Sequence, residues 1–155
     1  MPSSTHTTRR VLVVDDDRDG ADSLGLLLAL DGHKTFVCYD GRTALEMLAT
    51  ERPEIALLDI GMPDCDGYEL CASIRREPWG ENVLLFALTG WAREEDRQRA
   101  IEAGFDGYLI KPVSIDNLKA LLADPAARSD RLARESRLDP LGVTQDARSR
   151  QAENG

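Results

Sequence analysis

Five short apolar runs that alternate with stretches of helical spacing limit most strongly what this chain can fold into. The runs are Val11–Val14, Thr35–Cys38, Ile55–Leu58, Val83–Leu88 and Tyr108–Ile110. They have strand length and several β-branched or aromatic members. Between them, Ala21, Leu24, Leu27 and Leu28 form one apolar stripe, Ala44, Leu45 and Leu48 a second, and Leu70 and Ile74 with their neighbours a third. Strands that alternate with helices make βαβ units and a parallel sheet. Right-handed crossovers then place helices on both faces, and a doubly wound, flavodoxin-like α/β fold with five strands in the order 2-1-3-4-5 is the simplest solution.

Punctuation agrees with that reading. Gly32 follows the first helical stretch, Gly104 follows the fourth, and Pro112 ends the fifth strand. After Leu122 the pair Asp124-Pro125 breaks the last helix, and the remainder is polar, with scattered Leu132, Leu138, Leu141 and Val143. The expected organisation is a flexible start over 1–9, one domain over 10–123, and a polar tail over 124–155 with at most a short helix around Ala126–Arg137.

The chain has 155 residues, 42% of them hydrophobic, enough for one ordinary core without disulfide staples. Its net charge of −9 disfavours non-specific binding to DNA or to an anionic membrane, which are both held through basic patches. No apolar stretch resembles a signal peptide or a membrane span, so a cytoplasmic protein is expected. Cys38, Cys65 and Cys71 lack the spacing of a disulfide framework or a zinc site and read as reduced thiols.

Chemistry enters through the polar residues at the strand ends. Asp15 and Asp16 directly follow the first run, Asp59 the third, Thr89 the fourth and Lys111 the fifth. In an open parallel sheet the carboxyl ends of the strands share one edge, where ligands bind, so these residues converge on one crevice. Any one of them alone is more simply a turn or cap residue; their joint occurrence at one edge reverses that reading. Carboxylates about 4 Å apart at an effective dielectric near 20 repel by roughly 4 kcal/mol per pair, so a cation must sit among them. An all-oxygen set with few ligands suits Mg²⁺, and Lys111 adds a further positive charge. The expected ligand is a phosphoryl group with its metal. An Asp can be its nucleophile, forming an aspartyl phosphate while cations stabilise the transferring oxygens.

The motifs V-L-V-V-D-D-D at 11–17, L-L-D-I-G-M-P-D-C-D-G at 57–67, A-L-T-G at 87–90 and Y-L-I-K-P at 108–112 resemble those of receiver domains of two-component response regulators. The likeness extends from Arg10 to Leu122, and from Ala87 to Val113 it is similar to receivers fused to hybrid histidine kinases. It implies that Asp59 is the phosphoacceptor, that Asp15 and Asp16 hold Mg²⁺ directly or through water, and that the Gly61 carbonyl completes the metal shell. It further implies that Thr89 and Lys111 bind phosphoryl oxygens, and that Tyr108 turns inward when the switch is on. Pro63 and Gly67 would shape the loop. Such a chain accepts a phosphoryl group from a histidine kinase or a histidine phosphotransfer protein. It is not an enzyme in the ordinary sense, beyond catalysing its own phosphorylation and dephosphorylation, and it signals through the fourth helix, fifth strand and fifth helix.

Three other readings compete. Asp15-Asp16-Asp17-Arg18-Asp19-Gly20 opens like an EF-hand loop, but the twelfth position is Leu26 where a bidentate Glu is needed. A phosphatase similar to the haloacid dehalogenases would use Asp15 as nucleophile and Asp17 as general acid, and leaves Asp59 unexplained. A nucleotide-binding module would need a Gly-rich phosphate loop, and none is present. His6 and His33 do not resemble a kinase's phosphorylated histidine, so the donor is expected to be another molecule. Trp79 reads as a surface-loop anchor.

Overall fold

The computed structural model describes residues 7–62, 66–90 and 93–129. Five parallel strands, β1 (Arg10–Val14), β2 (Lys34–Cys38), β3 (Ile55–Asp59), β4 (Leu84–Thr89) and β5 (Gly107–Ile110), form one sheet in the order β2-β1-β3-β4-β5. The helices are α1 (Arg18–Leu30), α2 (Gly41–Glu51), α3 (Gly67–Arg76), α4 (Glu94–Ala103) and α5 (Ile115–Ala123).

Because side chains alternate across a strand, consecutive residues of one apolar run feed two cores. In β1, Leu12 and Val14 join Ala44, Leu48, Leu70, Ile74 and Ala100 from α2, α3 and α4. Val11 and Val13 point the other way, to Ala21, Leu24 and Leu28 of α1 and Leu118, Leu121 and Leu122 of α5. The strands are buried on both faces, which is why they read as unbroken apolar runs rather than as alternating ones. One member of the expected α1 stripe does not belong to it: Leu27 is 41% exposed, and Gly25 takes the inward place. A Cβ at Gly25 would lie 2.6 Å from Cγ2 of Val37, so the missing side chain lets α1 sit directly on β2.

Side-chain caps set three helix starts: Asp40 accepts from the Thr43 N–H, Asp66 from the Tyr68 N–H and Ser114 from the Asn117 N–H. The α4 C-terminus ends on Gly104 at φ 114, a left-handed backbone that disfavours any side chain.

Two polar clusters tie the sheet edge remote from the strand carboxyl ends. In the first, Arg9 donates from Nε to the Leu122 carbonyl at 3.0 Å and from its other guanidinium nitrogens toward Ala123 O and Glu54, while its backbone N–H donates to Nδ1 of buried His33. His33, read from the sequence only as a turn residue, thus serves as an internal acceptor. In the second, Asp106 is completely buried and accepts from Arg75 Nη2 at 2.8 Å, the Leu85 N–H at 2.8 Å and the Ser129 hydroxyl at 2.9 Å. Arg75 spends its remaining donors on the carbonyls of Gly104, Gly80, Glu81 and Val83. Ser129 reaches Asp106 through a short 3₁₀ turn, Ala126–Arg128, that follows the Asp124-Pro125 break. Residues 130–155 lie outside the described residues.

Candidate functional site

β1, β3, β4 and β5 all end at the same edge, and each delivers one or two polar side chains there. Asp15 leaves β1 with its N–H donating to the Cys38 carbonyl of β2, which fixes its height above the sheet. Asp59 is the last residue of β3, directly between β1 and β4. Thr89 ends β4, and its carbonyl accepts from the Lys111 N–H at 2.8 Å, which aligns the loop that carries the lysine. The Lys111–Pro112 peptide is cis.

Carboxylate oxygens of Asp15, Asp16 and Asp59 lie within 4.8 Å of one another. Asp15 and Asp59 are buried, and Asp16 is exposed at the mouth. Lys111 Nζ stands 3.1 Å from Asp15 Oδ2 and 3.5 Å from Asp59 Oδ1. The remaining lone pairs are partly met by backbone: the Asp17 N–H donates to Asp15 Oδ1 at 3.0 Å, and the Gly61 N–H to Asp59 Oδ1 at 2.9 Å. Gly67 holds this loop against the strand, since a Cβ there would lie 2.5 Å from the Ile60 Cα.

The electrostatics follow from this crowding. Burial pushes the Asp59 carboxyl up to about 6; the Gly61 N–H opposes that shift, the neighbouring Asp15 adds to it, and Lys111 offsets it in part. Burial pulls Lys111 down, but its hydrogen bond to Asp15 and the charges of Asp59 and Asp15 outweigh this and hold the ammonium above its ordinary value. One lysine does not neutralise three carboxylates. The donor set is all oxygen, with an exposed Asp16 able to reach a hydrated ion, and that chemistry fits a small divalent cation.

Tyr108 of β5 is half-buried and faces the same small cavity as Thr89, against the first turn of α4. The expected residues Asp15, Asp16, Asp59, Gly61 and Lys111 are therefore together, with Thr89 and Tyr108 at one side. Pro63 and Cys65 lie outside the described residues. Cys38 and Cys71 are buried and form no disulfide among the described residues, and burial pushes the Cys38 thiol up to about 12, so it is an inert packing group. Trp79 is partly buried beneath the Arg52 guanidinium, 5.9 Å from its ring centroid.

Sequence comparison agrees with this geometry. The model of the response regulator receiver domain matches residues 11–123, and the chain belongs to that family. It is 45% identical over 103 residues to an uncharacterized 14.6 kDa protein from Leptolyngbya boryana, covering 66% of this chain and 79% of that one. It is 38% identical over 111 residues to the response regulator MprA of Mycolicibacterium vanbaalenii, covering 72% of this chain but only 47% of MprA. The chain thus spans about half the length of the MprA regulators it matches. Among solved structures, the chemotaxis response regulator CheY4 of Vibrio cholerae superposes with a TM-score of 0.70 at 27% identity, over 75% of this chain and 97% of CheY4. The receiver domain of the sensor histidine kinase PA1611 from Pseudomonas aeruginosa, which has a magnesium ion coordinated in its active-site cleft, gives 0.68 at 28% identity, over 75% and 95%.

These matches leave the haloacid-dehalogenase alternative without support. Asp17, its required general acid, is exposed at the N-cap of α1. No helix among the described residues is long and apolar enough to cross a membrane.

Proposed function

We propose that Asp59 receives a phosphoryl group from a phosphohistidine of a histidine kinase or histidine phosphotransfer protein, and that the chain works as a two-component switch. The observation that carries this reading is the convergence of Asp15, Asp16 and Asp59 within 4.8 Å, with Lys111 bridging two of them. An Asp59 carboxylate oxygen attacks phosphorus, the P–O bond forms as the P–N bond to the imidazole breaks, and the departing nitrogen keeps the electron pair. Lys111 lies where it can pair with a phosphoryl oxygen, and the Thr89 hydroxyl donates to another. Asp15, Asp16, Asp59 and the Gly61 carbonyl are the groups that would hold Mg²⁺, which supplies charge neutralisation at the transferring oxygens.

Asp59 must be ionised to attack. Near neutral pH it is, because its midpoint of about 6 lies lower. The Thr89 hydroxyl, drawn toward the phosphoryl group, vacates room for the Tyr108 ring, and the signal leaves by protein contact at α4, β5 and α5. An aqueous cytoplasmic setting suits such a relay.

The test is chemical. A small phosphodonor with Mg²⁺ is expected to give an acid-stable, base-labile adduct that Asp59→Asn abolishes. A label that persists in Asp59→Asn but is lost in Asp15→Asn would overturn the assignment.

A further inference from the structure

On the α4 side of the sheet lies a cavity of about 10 Å³, room for roughly one water, between Thr89, Tyr108, Arg93 and Asp96. One of its lining residues carries an unmet acceptor: Oδ2 of Asp96 is buried and takes part in no hydrogen bond. The Arg93 Nε paired with it stays 3.5 Å away on a side chain that is 62% exposed, so the pairing is weak. Across the cavity, the Tyr108 phenol has no hydrogen-bond partner among the described residues. A buried acceptor without a donor is unfavourable, and a phenol that becomes buried needs a partner.

We propose that Asp96 is the latch for the inward position of Tyr108, its Oδ2 accepting a hydrogen bond from the phenol when Thr89 gives way and the ring turns toward α4. The inference rests on reading Thr89 and Tyr108 as the moving parts of the switch, and it names what holds the ring once it has moved. Resting and switched states then differ in more than the Thr89 contact. With the ring outward the Asp96 acceptor is unmet, whereas the inward ring satisfies it, so part of the bias toward the active state is built into α4. A ligand at Asp59 shifts the equilibrium only by its differential contacts, and the latch reduces the shift it must supply.

Tyr68 is the other tyrosine near Asp96, and its phenol is raised first by burial and then by the Asp96 charge. Its ring is already held edge-on to Phe105 and beneath the Arg99 guanidinium at 4.0 Å. It does not line the cavity; Tyr108 does.

The test follows the Tyr108 ring resonances of the full chain with and without beryllium fluoride and Mg²⁺. Asp96→Ala is expected to lower the inward-to-outward ratio in the fluoride-bound state roughly five- to tenfold, while Asp96→Asn, which keeps a carbonyl acceptor, retains most of it. Tyr108→Phe should weaken beryllium fluoride binding by a similar factor, and adding Asp96→Ala to it should change nothing further. Equal Tyr108 responses in wild type and Asp96→Ala overturn the latch and leave the switch standing. Unchanged fluoride affinity in Tyr108→Phe overturns it independently of how Asp96→Ala folds. A wild-type ring that ignores the fluoride overturns the switch reading itself, and the latch with it.

Discussion

Replacing Asp106 by Ala removes the shared acceptor of three donors at once: the Arg75 guanidinium, the Leu85 N–H and the Ser129 hydroxyl. Breaking a buried ion pair from one side costs about 3–5 kcal/mol, and each orphaned neutral donor about 1–3 kcal/mol. These do not simply add here. Arg75 retains four backbone carbonyls, and its side chain is 13% exposed, so water can reach the vacated place. The expected loss is therefore about 4 kcal/mol, a large share of the 5–15 kcal/mol that holds an ordinary domain together. For a domain of this size it lowers Tm by about 15 °C. Urea unfolding followed by circular dichroism measures it directly, as a lower midpoint at unchanged slope. Ser129→Ala should cost about 1 kcal/mol, and Arg75→Met should cost more than Ser129→Ala, because it also takes the donor from the carbonyls of Gly104, Gly80, Glu81 and Val83. A loss below about 1 kcal/mol in Asp106→Ala would refute the reasoning, since it would mean that water serves these donors as well as the carboxylate does.

A chain ending at Asp124 should be measurably less stable than one ending at Ser129, because only the longer one supplies the Ser129 hydroxyl to Asp106 Oδ1; equal unfolding midpoints would count against that contact. In metal-free protein the Asp59 carboxyl should titrate near pH 6 by carbon-detected NMR. Since its folded value lies above the unfolded 3.8, this group's contribution to stability is present below about pH 3.8 and lost as the pH rises through 6, and Mg²⁺ should displace the midpoint downward. The Cys38 thiol should react with a thiol reagent only after unfolding, and rapid labelling of the native protein would contradict its burial.

The sheet order and the reactive edge were legible because both rest on local pattern. A strand covered on both faces must be apolar throughout, and a polar side chain at its end then stands out, as Asp59 does after Ile55–Leu58. Leu27 misled because periodicity shows which residues share a helix face but not where that face ends; the structure turns it outward and seats Gly25 instead. The Asp106 cluster left no trace in the sequence. Its partners lie 31, 21 and 23 residues away, and Asp124-Pro125 marked only the end of α5 and a polar tail with at most a short helix, with no sign of a contact from Ser129 to the core. Asp96 was hidden for the same reason: in the acidic first turn of α4 it looks like any charge placed to favour a helix dipole.

Arg9 gives the fold a further property, which belongs to its architecture as a module. By reaching the Leu122 carbonyl, 113 positions along the chain, it brings the two flanks of the domain together at the pole opposite Asp59. The described flanks of the domain, Arg9 before β1 and Ala123 after α5, therefore lie together on the side away from the crevice. A domain arranged this way can be inserted into a host protein, or re-cut with its flanks joined and new ends opened in a surface loop, without disturbing its chemistry.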